Sequence, residues 1–145
     1  MAAIVNDCRF PVVEARLMRT RLNREKMNEF LENIKQSDSK RKTYIVELNL
    51  EYLTCWNVFN VSKILAILDE CKNTVDSMME GVVIKNFKGM TKTLLRLLLY
   101  FSNKKYGFDI YVINNNVKRN VLENLYSDIL LQKIITDNKS IFIRY

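Results

Sequence analysis

Apolar positions recur along this chain with two periods, and the switches between them divide it into elements. Met27, Phe30, Leu31 and Ile34 follow Asn23 at helical spacing, with Glu25 in the first turn, so the pattern predicts a helix over 23–36 capped by Asn23. After a polar loop, Tyr44, Val46, Leu48 and Leu50 alternate with Ile45, Glu47 and Asn49, which predicts a strand over 43–50. Val58, Val61, Ile64, Leu65, Leu68 and Cys71 then repeat every three or four residues, the stripe of an amphipathic helix beginning at Asn57. A short strand over 81–87 leads through Lys88-Gly89-Met90 into a helix over 91–105 that is apolar on nearly every side. Lys104 and Lys105 close that helix at the negative end of its dipole, and Gly107 terminates it. A strand over 108–113, an amphipathic helix over 117–126 and a strand over 140–144 complete the series. Residues 10–17 read as a further extended run, and 129–135 fit either helix or strand.

Strands and helices therefore alternate, and parallel neighbours need crossover connections of this kind. The expected fold is an α/β sandwich with a mostly parallel sheet of four to five strands and about four helices. A length of 145 residues suits one domain, with 1–42 as an N-terminal extension carrying a helix and 43–145 as the core. The net charge of +7 changes this picture little, because residues 1–43 carry a surplus of four cations and 44–145 a surplus of three. No basic arm stands out. No run of about 18 apolar residues is present, and the N-terminal stretch is interrupted by Asp7 and Arg9, so the expectation is a soluble, intracellular protein without a membrane span.

The chemistry on offer is restricted. With no histidine the chain lacks the commonest general base and metal ligand, and a Ser-His-Asp or Cys-His site within it is excluded. Cys8, Cys55 and Cys71 show no metal-ligand spacing and read as core thiols of a reducing compartment. Asp69 and Glu70 are adjacent on a helix, do not face each other, and read as a solvated end. Gly89-Met90-Thr91-Lys92-Thr93 has the Lys-Thr of a phosphate loop without its glycines. These observations point to no enzyme, no cofactor and no metal.

What remains is recognition. In the 91–105 helix, Leu94, Leu95, Leu98 and Phe101 make a sufficient core face, which leaves Leu97, Leu99 and Tyr100 as a candidate partner interface or as further core. Arg16, Arg19, Arg21 and Arg24 are candidate nucleic-acid contacts, and lysines 40 and 42 add charge in a loop. Thr91 and Thr93 are candidate phosphosites at a helix start, where added negative charge meets the favourable end of the dipole.

The stretches TYIVELNLEYLT, NVSKILAILDEC, VVIKNFKG, TKTLLRLLLYFSNKKYG, FDIYVINNN and VKRNVLENLY resemble, in order and length, the elements of the STAS domain, the anti-sigma-factor antagonist family. The resemblance covers about 43–145 and implies protein recognition, with a regulatory Ser or Thr at the helix start after the third strand. The matching place in this reading is Thr91-Lys92-Thr93, which lacks the family's Asp-Ser pair. The expected function is a non-enzymatic interaction or assembly module acting on a protein partner or on itself. Heavy use of Asn, Lys and Ile suggests an AT-rich genome and adds a virion component of a large DNA virus as one form of that module. The alternatives are a basic nucleic-acid-binding regulator and a phospho-regulated STAS-type switch.

Overall fold

The computed structural model describes residues 3–17, 23–52, 59–74, 77–85, 93, 96, 106–114 and 116–145. Among the described residues six strands, β1 (Ala3–Arg9), β2 (Val12–Leu17), β3 (Tyr44–Asn49), β4 (Met79–Lys85), β5 (Ile110–Ile113) and β6 (Phe142–Arg144), form one sheet in sequential order. Strands β2 to β5 run parallel, and β1 and β6 pair antiparallel at the two edges. Three helices are delimited among the described residues: α1 (Arg24–Asp38), α2 (Phe59–Lys72) and α3 (Arg119–Leu130).

The helices cover the sheet unequally. Phe30 and Ile34 of α1 share one core with Val61, Ile64, Leu65 and Leu68 of α2, packed on Val46, Leu48, Val82 and Ile84. On the opposite face only α3 is present among the described helices, and its Leu125, Tyr126 and Ile129 cover Ile45, Val83 and Tyr111. Both faces of β3 are thus covered, and all six of its residues are buried. Gly81 lets α3 lie close, since a Cβ there would stand 3.3 Å from Ile129 Cγ2.

The α/β class and the mostly parallel sheet agree with the alternation of elements. The N-terminal region differs from expectation: it is no extension, because β1 and β2 form a hairpin turned at Phe10-Pro11 and β2 pairs in parallel with β3. This hairpin carries the strand count beyond five. The ambiguous 129–135 stretch continues α3 to Leu130 and then leaves regular structure at Gln132, whose φ of 54° ends the helix. Asp69 is buried, contrary to the solvated reading, and its Oδ1 accepts the Gly107 amide at 2.7 Å; Glu70 is exposed. Thr93 and Arg96 are helical, as the pattern over 91–105 predicts, and the rest of that segment lies outside the described residues. No helix among the described residues is long and apolar enough to cross a membrane.

Candidate functional site

Because α3 sits over β3 and β4, the β2 side of its face has no helix above it among the described residues, and a cleft opens there. The strand period places Val12, Glu14 and Arg16 of β2 on this face beside Glu47 and Asn49 of β3. The opposite wall is Val117, Arg119, Leu122 and Glu123 at the start of α3. Together they enclose an open volume of about 820 Å³ that runs out toward the carboxyl ends of the parallel strands. Ligands of open α/β sheets gather at such ends.

The floor is an ion network built on Glu47, which has no solvent exposure. Glu14 and Glu47 are register partners on neighbouring parallel strands, so two like charges stand side by side. Arg9, at the hairpin turn, spans them: its Nη2 donates to Glu14 Oε2 at 3.1 Å and to Glu47 Oε1 at 2.8 Å. Lys85 Nζ, from the end of β4, lies 2.7 Å from the same Glu47 oxygen, and the Tyr126 hydroxyl of α3 donates to the other. Arg16 Nη2 adds a longer contact of 3.3 Å to Glu14.

These contacts fix the protonation of the floor. Burial works to raise the Glu47 carboxyl, but hydrogen bonds from Lys85 and Tyr126, with the charges of Lys85 and Arg9, outweigh it and hold the group below its ordinary value. Burial first, and then the Glu47 charge, push the Tyr126 phenol well above its ordinary value. At neutral pH the carboxylate is ionised and the phenol protonated, an arrangement that ties β1, β4 and α3 to β3.

The rim is different in character. Arg9 and Arg16 have side chains 49% and 40% exposed, while Arg119 and Glu123 form an exposed i,i+4 pair at 3.1 Å. Apolar Val12, Ile113, Val117 and Leu122 lie between these charges. Among the described residues no three Cys, Asp or Glu side chains are grouped so as to hold a metal ion.

Of the residues singled out from sequence, Arg16 belongs to this cleft. Arg24 begins α1, exposed, in the layer across the sheet, so the two do not form one basic surface. Thr93 is exposed on its helix. Arg19, Arg21, Thr91, Leu97, Leu99 and Tyr100 lie outside the described residues, as does the Gly89 turn. The hairpin also shifts the strand count used with the STAS resemblance: the third strand is β3, and the helix after it is α2, which follows residues 53–58, outside the described residues. Arg9, Glu47, Lys85 and Tyr126 escaped sequence reasoning. Their one local signal is Glu47 between Ile45 and the apolar Val46 and Leu48, a charge inside a strand otherwise patterned for two-sided burial.

Comparison with family models, with curated proteins and with solved structures finds no match to this chain.

Proposed function

We propose that the protein is a non-enzymatic interaction module of STAS-like organisation that captures a segment of a polypeptide partner in the cleft beside α3. The observation that carries this reading is the composition of the cleft: apolar Val12, Ile113, Val117 and Leu122 line it together with side chains of both signs of charge. A polypeptide segment offers apolar and oppositely charged groups at the same spacing, whereas a nucleic-acid backbone calls for cations alone. The network under the rim favours recognition further, since a preorganised floor lowers the ordering cost of binding.

Reversing the rim charge with Arg16→Glu and Arg119→Glu tests the reading. The folded double variant should lose the partner that the wild-type protein retains from an extract of its native source, while Lys63→Glu, on the exposed side of α2, should keep it. The purified partner should then shift amide resonances in 12–16, 47–51 and 117–123. Shifts confined to other segments, or equal capture by the rim variant, would reject the cleft as the site. Light scattering of the protein alone decides whether that partner is a second copy.

A further inference from the structure

The helix α3 runs out into a loop that turns apolar side chains toward solvent. Ile134 is fully exposed and Leu131 is 62% exposed, with the exposed Lys133 between them. Hydrogen bonds hold the backbone on both sides of Ile134. Gln132, at a φ of 54°, turns the chain out of α3, while the Leu131 amide donates to Ser127 O and the Lys133 amide to Asp128 O, each at 3.0 Å. Past Ile134, the half-buried Ile135 packs against the core between α3 and the sheet, and its carbonyl accepts Arg144 Nη2 at 2.7 Å. Farther on, Asn114 Nδ2 donates to Lys139 O at 2.8 Å.

An apolar side chain on a preordered backbone gains the free energy of burial on binding without the ordering cost of a flexible segment. The cleft beside the start of α3 supplies a complement to this loop. Its apolar lining includes Val117 and Leu122, and the exposed Glu51 and Glu123 on its border are opposite in charge to Lys133. Asp137, the carboxylate of the 131–139 segment, is paired with Arg144 of its own chain and does not oppose that match. The loop cannot enter its own cleft. The 12 residues of α3 set about 18 Å between the two features. The loop is also tied to β5 and β6 through Asn114 and Arg144, whereas the cleft opens above β2.

We propose that the 131–134 segment of one copy occupies the α3 cleft of another, so that the protein assembles with itself. This rests on the polypeptide reading of the cleft and names the polypeptide. Leu131 and Ile134 meet the apolar lining, and Lys133 meets the carboxylates of Glu51 and Glu123 at the border. Because loop and cleft are different surfaces, each pair of copies keeps one loop and one cleft unoccupied after its first contact, and the contact repeats head to tail.

Sedimentation velocity of the purified protein over about 10–500 µM tests the proposal, at about 0.3 M salt to screen the repulsion between chains of charge +7. The mean mass should rise with concentration through the dimer and beyond it. Ile134→Asp on the loop and Val117→Arg on the cleft wall should each weaken association by about tenfold or more, while Phe59→Asp, at an exposed apolar site on α2, should change it by less than about twofold. Should Val117→Arg unfold, Glu51→Lys with Glu123→Lys changes only exposed side chains and should still weaken association by about threefold. The decisive sample is an equimolar mixture of Ile134→Asp and the cleft variant: one intact loop and one intact cleft should give a heterodimer that grows no further. Absence of that heterodimer, or association that Ile134→Asp abolishes and the cleft variants leave intact, would overturn the pairing. A wild-type protein that stays monomeric throughout, while a purified partner from its native source still shifts the cleft amides, would overturn self-assembly and leave the polypeptide reading standing.

Discussion

Glu47 keeps a negative charge where no water reaches it because donors from three separate elements converge on its two oxygens. Removing one partner of a fully buried pair costs about 3–5 kcal/mol, but Arg9 and Lys85 both touch solvent, so Glu47→Gln should cost about 2–3 kcal/mol in urea unfolding at neutral pH. Tyr126→Phe removes one charge-assisted hydrogen bond and should cost about 1.5–3 kcal/mol. The pH dependence has a definite sign. The folded carboxyl is held below its ordinary value of 4.5, so its contribution is complete above that value and is lost as pH falls through the lower folded one. The gap between wild type and Glu47→Gln should therefore narrow as unfolding is measured at successively lower pH below 4.5; a constant gap would mean that the carboxylate charge is not what the network uses. Little of this was legible in the sequence. Glu47 stood out only as one polar residue in an alternating strand, and Arg9 and Tyr126 lie 38 and 79 residues away from it, a grouping that periodicity cannot reveal.

Elements with a strong period were read closely. The strand expected over 43–50 is β3 at Tyr44–Asn49, and the stripe from Val58 to Cys71 becomes α2 at Phe59–Lys72. Asn23 does cap α1, its Oδ1 accepting the Lys26 amide at 2.9 Å. Asn23→Ala should accordingly lower stability by about 1 kcal/mol and speed amide exchange in the first turn of α1 more than elsewhere. The hairpin was missed because its turn is Phe10-Pro11, with none of the Asn-Gly or Asp-Gly signals of tight hairpins, and Asp7 and Arg9 break the apolar pattern of β1. The packing of α3 on the sheet yields a test of its own. Gly81→Val would press on Ile129 and should cost about 1–3 kcal/mol, and Ile129→Ala in the same chain should make the pair cost less than the sum of the two single changes. Strict additivity would show that α3 does not rest on β4 at this point.

Across the whole molecule, the alternation of strands and helices was enough to give the α/β class, while the distribution of helices between the two faces, which creates the cleft, follows from strand order and could not be read from composition. Cys71 reports on global integrity. It is buried under α1, and burial, followed by the charge of Asp38, raises its thiol to about 11. Alkylation of Cys71 at about pH 8, followed by peptide mass, should be slower than in urea by at least about a hundredfold. Comparable rates would place the end of α2 in rapid exchange with solvent. The strand order carries a consequence for synthesis on the ribosome. Since every strand pairs with the one made just before it, the sheet can grow vectorially from the β1–β2 hairpin, each addition finding its edge already present. The α3 face cannot follow that schedule, because Tyr126 emerges 79 residues after Glu47, a delay of roughly 4–16 s at ordinary elongation rates. Through that interval Ile45, joined later by Val83, awaits its cover, and a nascent chain stalled before α3 should be the species that chaperones hold longest.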